Sequence, residues 1–270
     1  MFPPFIFETY FVLVGLIVGS YLNVLIYRLP RQVSTVLPRS RCPRCQAPIR
    51  AYDNIPVLSY LILRGRCRHC GMRISWRYPA VEALTGGCFL LSLHRTPNLR
   101  EALVAAAFCS AMIVLALIDL EHFLLPDVIT KGGMVLGLAL QGVLYLAGPA
   151  YALSWCSPRD GLIGAVFGAG LLYGLSWAWL LWKGVEGMGL GDVKMLGMIG
   201  AFLGWQGVIT TLFLATLGGS LVGGLLMLRG RLGLQSKLPF GVFLAIAAVL
   251  SLFFGPSLQR AYLDLAGLGL

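Results

Sequence analysis

Charge is what this 270-residue sequence most lacks: only 12% of its residues are charged, against 58% hydrophobic, and its mean hydropathy is +0.82. So little polar surface cannot cover a soluble globule of this length, which excludes that class and assigns the chain to lipid. A basic leader region is missing too. The first apolar run is preceded by Glu8 and by no Lys or Arg, with positive charge arriving only at Arg28 and Arg31. A cleavable signal peptide has the opposite order, so the run is expected to stay as an anchor. There is also no glycine-rich dinucleotide fingerprint following a strand pattern.

What is present is a series of apolar runs near 5–28, 79–94, 101–118, 128–148, 160–182, 193–204, 207–228 and 238–256. Each is long enough, or nearly so, for a bilayer core about 30 Å thick, which predicts an all-α polytopic membrane protein of about eight transmembrane helices. The stretch from Met195 to Leu228 carries no charge and would reach ~51 Å as one helix, so a break is expected around Gly204-Trp205-Gln206-Gly207. The run at 79–94 is near the lower limit for a span.

The formal charge of +10 would suggest nucleic acid in a soluble protein, but its distribution points elsewhere. Eleven arginines and one acidic residue, Asp53, lie between Arg28 and Arg77. With that segment on the cytoplasmic side, 17 basic residues fall inside and 4 outside. Inside are also Lys131, Lys183, Lys194, Arg229, Arg231 and Lys237; outside are Arg95, Arg100, Arg159 and Arg260. This is the positive-inside pattern. It predicts an outside N-terminus and, with anionic lipid head groups, accounts for the charge without a nucleic-acid partner. The expected organisation is an anchor at 1–29, a cytoplasmic domain at 30–78 and a membrane domain at 79–270.

Four of the seven cysteines form Cys42-Pro-Arg-Cys45 and Cys67-Arg-His-Cys70. Two such pairs, 21 residues apart, have the spacing of a four-thiolate tetrahedral zinc site in a small zinc-ribbon-like domain. An arginine-rich segment of this size has too little apolar material for its own core, and a structural Zn2+ can replace it. Four protein ligands leave no open position for catalysis. Cys88, Cys109 and Cys156 read as small core residues.

Ionisable groups near membrane depth default to function. Glu8, Glu101, Asp160 and Asp264 fall at outer loops or ends, where solvation explains them, and Glu82 opens the second run. Asp119, Glu121, Asp127, Glu186 and Asp192 gather at the inner face. Two carboxylates sharing one proton make an aspartic-protease dyad, one activating water and the other donating to the scissile carbonyl, with a bell-shaped rate profile. Asp127, after Pro126, suits a helix cap, and Asp192 suits the cap of a helix beginning at Val193. Asp192 differs in ending Gly187-Met188-Gly189-Leu190-Gly191-Asp192, where Gly189 and Gly191 leave room for close backbone approach. Spacing alone leaves open which pair is catalytic.

The sequence resembles the bacterial prepilin leader peptidases of type IV pilus and type II secretion systems. The matching residues are Gly19-Ser20-Tyr21-Leu22-Asn23-Val24 with Arg28-Leu29-Pro30, the four cysteines, and Ser75-Trp76-Arg77-Tyr78-Pro79 with Glu82. Further along they are Asp119-Leu120-Glu121, Leu125-Pro126-Asp127 and Gly189-Leu190-Gly191-Asp192-Val193-Lys194. Tyr21 stands where the family pattern leads one to expect Phe. The resemblance implies that Asp119 and Asp192 are the catalytic pair, that the substrates are prepilins or pseudopilins, and that the membrane is the bacterial inner membrane. It also implies N-methylation of the new amino terminus from S-adenosylmethionine. Two other classes compete: an ion-relaying transporter, whose carboxylates would need a path across the bilayer, and a zinc-ribbon adaptor merely anchored by its spans, which leaves the glycine-aspartate motif without a role.

Overall fold

The computed structural model describes residues 4–184, 189–230 and 238–267, and among them the regular elements are helices. They are α1 (Pro4–Arg28), α2 (Leu58–Ile62), α3 (Arg77–Arg95), α4 (Leu99–His122), α5 (Asp127–Leu146), α6 (Pro158–Lys183), α7 (Leu190–Leu228) and α8 (Phe240–Leu265). Six of the described helices, α1 and α4 to α8, have the length and apolarity to cross a membrane. The chain is a multi-pass membrane protein. α3, with 19 residues, carries Glu82, Thr85, Ser92 and His94 and is less apolar.

The chain divides into two compact units, 1–114 and 115–270. In the first, α1 and α3 pack closely because glycines line the seam. A β-carbon on Gly15 would meet Phe89 at 2.8 Å, and one on Gly19 would meet the Glu82 backbone at 2.7 Å. Phe11, Phe89, Ala102 and Ala106 form the buried centre of this unit. Asn98 opens α4 by accepting from the Glu101 amide at 2.9 Å and donating to the Glu101 carboxylate at 2.9 Å. Glu101 is therefore buried, 2% exposed; the expectation of a solvated outer carboxylate gives way to a capping pair taken into the packing.

In the second unit α7 is not one rod. Gly204 interrupts it with φ 71° and ψ 179°, a conformation that only glycine adopts easily. The reversal falls where the charge-free length requires one. Gly223 near the end of the second arm lies against Leu238, while Gly191 at the start of the first arm and Gly241 in α8 both lie against Leu125. Both ends of α7 thus sit at one end of the unit, and its two arms form a hairpin. With the two arms of α7 counted separately, the described residues hold eight long helices, but α3, over the run at 79–94, is not among those long and apolar enough to cross a membrane.

A helix that stops at a reversal strands its last carbonyls. Two are recovered by side chains: Gln141 Nε2 donates to Ala201 O at 2.5 Å and Trp155 Nε1 to Phe202 O at 3.2 Å. Gly161, Gly164 and Gly168 of α6 lie directly on the first arm of α7.

Candidate active site

α4 ends at His122, and the amide of Phe123, in the left-handed region at φ 51°, donates back to Asp119 O at 2.9 Å. Asp119 thus occupies the last turn, 6% exposed. Its carboxylate Oδ2 accepts from the Val242 amide of α8 at 3.2 Å. The first turn of α8 leaves its amides free for such a partner. A β-carbon on Gly241 would stand 2.8 Å from the same oxygen, so glycine is needed for the approach. Neither Gly241 nor Val242 was singled out from sequence; a glycine just after the Pro239-Phe240 helix start was the available signal.

Asp192 lies half-buried in the first turn of α7, which begins at Leu190 after Gly189 rather than at Val193. The cap position belongs to Gly189, whose carbonyl accepts from the Asp192 amide at 3.1 Å. This corrects the reading of Asp192 as a cap: the carboxylate is free for another use. Among the described residues, Asp119 is close enough for its charge to act on Asp192. Leu125 joins the two neighbourhoods, its side chain lying 3.1 Å from a β-carbon on Gly191 and 3.3 Å from one on Gly241. Among the described residues, a β-carbon on Gly189 would make only ordinary contacts, at 3.9 Å to Asp192 Oδ2 and to Gly191 N. Gly187 and Glu186 lie outside the described residues, as do Arg231 and Lys237.

Asp127, Glu121 and Glu82 are engaged elsewhere. Asp127 is the first helical residue of α5, with Pro126 at the cap position, and its oxygens pair with Lys131 and Lys194 at 2.7 Å each. It is an ion-pair partner and not a cap. Glu121 is exposed, 4.0 Å from His122 Nε2. Glu82 is buried at 8% exposure and accepts from the Val57 amide at 2.7 Å.

The four cysteines come together, their sulfurs all within 4.8 Å of one another. Cys42 and Cys70 Sγ are 3.7 Å apart, and Cys45 and Cys67 Sγ 4.0 Å. Each knuckle closes with a small bridge, Arg41 to Pro48 and Arg66 to Arg73, and turns back through Gln46 and Gly71 at positive φ. The Cys45 amide, with further backbone help from Arg44, draws the Cys42 thiol down to about 6. Cys45 is pushed up to about 11: the Ala47 amide favours its thiolate, but burial and the thiols of Cys42, Cys70 and Cys67 outweigh it. Such crowding is relieved by a cation, and the cluster can hold a metal ion. Cys109 and Cys156 are buried and Cys88 is partly so, as small core residues are.

The fold and site thus define a polytopic helical membrane protein with a four-cysteine cluster and two aspartates converging at one end of its second unit. Residues 13–96 match the Bacterial Peptidase A24 N-terminal domain, and residues 106–224 match the Type IV leader peptidase family. The chain belongs to that family. Among its relatives named prepilin leader peptidase/N-methyltransferase, that of Burkholderia pseudomallei is 35% identical over 269 residues, covering 90% of this chain and 84% of its own. That of Pseudomonas putida is 38% identical over 289 residues, with 98% and 96% covered. That of Aeromonas hydrophila is 40% identical over 290 residues, with 96% and 95% covered. No solved structure matches the chain significantly.

Proposed function

We propose that this protein removes the basic leader peptide from type IV prepilins or type II secretion pseudopilins, with Asp119 and Asp192 as the catalytic pair. The observation that supports the reading is their convergence: the first turn of α8, which holds the Asp119 carboxylate, and the first turn of α7, which carries Asp192, both lie on Leu125, and among the described residues no Lys or Arg pairs with either aspartate, while Asp127 is neutralised by two lysines. One carboxylate takes a proton from the attacking water; the other, protonated, donates to the scissile carbonyl oxygen. The Val242 amide and the bare backbone at Gly241 fix the orientation of the Asp119 carboxyl for this work.

A peptide bond inside a helix is shielded by its own hydrogen bonds, so the substrate must be extended at the cut. A glycine before the bond lowers that cost. The missing side chains of Gly189 and, two residues on, Gly191 suit an extended strand passing beside Asp192. The distribution of 17 basic residues against 4 favours an inner-membrane orientation with the N-terminus periplasmic and both aspartates on the cytoplasmic side. The parts then divide as an anchor at 1–29, a metal-holding domain at 30–78 and a peptidase domain at 79–270.

Zinc is the metal that the cluster suits. Tetrahedral Zn–S bonds of about 2.3 Å place sulfurs about 3.8 Å apart, against 3.7 and 4.0 Å here. Cys42, Cys45, Cys67 and Cys70 would hold it, and its contribution is to tie the two knuckles together. The relatives' name also carries N-methylation, for which S-adenosylmethionine supplies the methyl group. The cavity beside the Gly204 reversal, lined by Trp155, Gln206, Ser251 and Gln259, has about 40 Å³, room for ordered water and not for that cofactor.

The test is mass spectrometry of a prepilin incubated with the full chain in detergent, with and without S-adenosylmethionine. Loss of the leader supports the peptidase reading, and a further gain of one methyl group supports the second activity. An unchanged prepilin contradicts the first.

A further inference from the structure

The segment between α1 and α3 is studded with arginine, except in one place. From Ala51 to Leu63 there is no Lys or Arg, with Arg50 and Arg64 standing at the two edges. This stretch contains the short helix α2, and its large apolar side chains point outward: Ile55 is 46% exposed, Leu58 51%, Leu61 64% and Ile62 67%. Leu58, Leu61 and Ile62 recur at helical spacing within α2, so they form one face, with Ile55 exposed just before it.

The depth of this face is fixed by Glu82. Its carboxylate accepts from the Val57 amide at 2.7 Å, and its backbone lies on Gly19, next to Ser20. Val57 is held there at φ 60°, a conformation that costs a β-branched residue strain. Ser20 lies eight residues before Arg28, the end of α1, which is ~12 Å along the helix. Tyr27, with Arg31 stacked 4.1 Å over its ring, together with Arg28, marks the level where α1 leaves the membrane. The Glu82 contact thus holds the turn at 55–62 no more than ~12 Å below that level, close to the depth at which interfacial helices lie.

Backbone polarity at that depth must be satisfied within the protein. Here it is. Ile55 N donates to Ser59 Oγ at 2.9 Å, Ser59 Oγ donates to Tyr52 O at 3.0 Å, and the amides of Ser59, Leu61 and Leu63 close on Ile55, Val57 and Ser59 carbonyls.

We propose that residues 55–63 form a re-entrant turn seated in the lipid of the chain's own membrane, inserting Ile55, Leu58, Leu61 and Ile62 at the headgroup-to-acyl boundary. The occupant of the apolar face is lipid. Flanking arginines Arg50 and Arg64 extend to anionic head groups, their stems along the apolar surface. The segment between α1 and α3 is then not a freely projecting aqueous domain: the four-cysteine knuckles on either side of the turn are moored to the bilayer surface. This proposal is independent of the peptidase chemistry and rests on the membrane-spanning character of α1.

The test uses the full chain in lipid nanodiscs, with Leu61→Trp and, separately, Ile62→Trp. The emission of the added indole is obtained by subtracting the unsubstituted protein in the same lipid. Lipids brominated high on the acyl chain should quench that emission at least about twofold, and lipids brominated near the chain end less. Absence of bromine quenching at both positions overturns the proposal. So does an indole that bromine leaves untouched until a prepilin is added and that then shifts to the blue, because the face would belong to the substrate.

Discussion

Gly241 packs its backbone directly on the carboxylate of Asp119: a β-carbon there would stand 2.8 Å from Oδ2 and 3.0 Å from Cγ. The contact joins residues that are far apart in the chain and sets where the acid group of α4 points. Gly241→Ala must push that group away, and a misplacement of about 1 Å costs on the order of 10²-fold in rate. The expected result is a folded protein that cleaves prepilin at least ~10²-fold more slowly, measured by initial rates alongside thermal unfolding. Full activity in the folded variant would mean that this contact does not orient Asp119.

Asp127 and Lys194 form a partly exposed pair, with side chains 48% and 31% exposed. Exposed pairs are worth roughly 0.2–1 kcal/mol. A double-mutant cycle with Asp127→Asn and Lys194→Met should give a coupling within that range by thermal unfolding, while both variants keep cleaving. Loss of cleavage in Asp127→Asn at unchanged stability would move Asp127 into the catalytic pair.

The membrane helices were legible because apolar length is a local property. The Gly204 reversal was legible for the same reason, since a charge-free stretch too long for the bilayer must turn and glycine marks where. The four cysteines were legible from spacing. Contacts between distant segments were not. Glu101 reads as a solvated loop residue until Asn98 and the packing of its unit bury it, and the glycine after the Pro239-Phe240 helix start marks a place for close approach without indicating that Asp119 is what approaches. In sequence Asp127 suits a helix cap, and Asp192 suits either a cap or a site residue, because Asp commonly caps helices. In the structure Gly189 and Pro126 hold those positions, which frees one carboxylate and gives the other two lysines.

Removing one thiolate should empty the cysteine cluster. Cys42→Ser or Cys70→Ser is expected to release the zinc, lowering it from about one ion per chain, and to open the 30–78 segment to proteases. Metal analysis and limited proteolysis measure both. A variant that retains its zinc would contradict the four-ligand site.

Arg68 forks onto Asp53, with Nε 3.0 Å from each oxygen and Nη2 2.6 Å from Oδ1. This hydrogen bond, helped by the charges of Arg68 and Arg50, holds the Asp53 carboxyl below its usual range. A depressed carboxyl stabilises the fold above its unfolded value, about 3.9, and loses that contribution as pH falls through the folded one. The thermal midpoint of the unsubstituted protein should exceed that of Asp53→Asn by a small, constant margin from neutral pH down to about 5, closing below about 4. A margin that widens on acidification would have the wrong sign.

The most direct measurement is prepilin cleavage by Asp119→Asn and Asp192→Asn, each purified as the full chain and matched to the parent in thermal stability. Asparagine keeps the size of the side chain and removes the proton-carrying acid. With one proton shared between two carboxyl groups, either substitution alone should abolish removal of the leader while the protein stays folded. A variant of either residue that still releases the leader at the parent rate would contradict the paired-aspartate site.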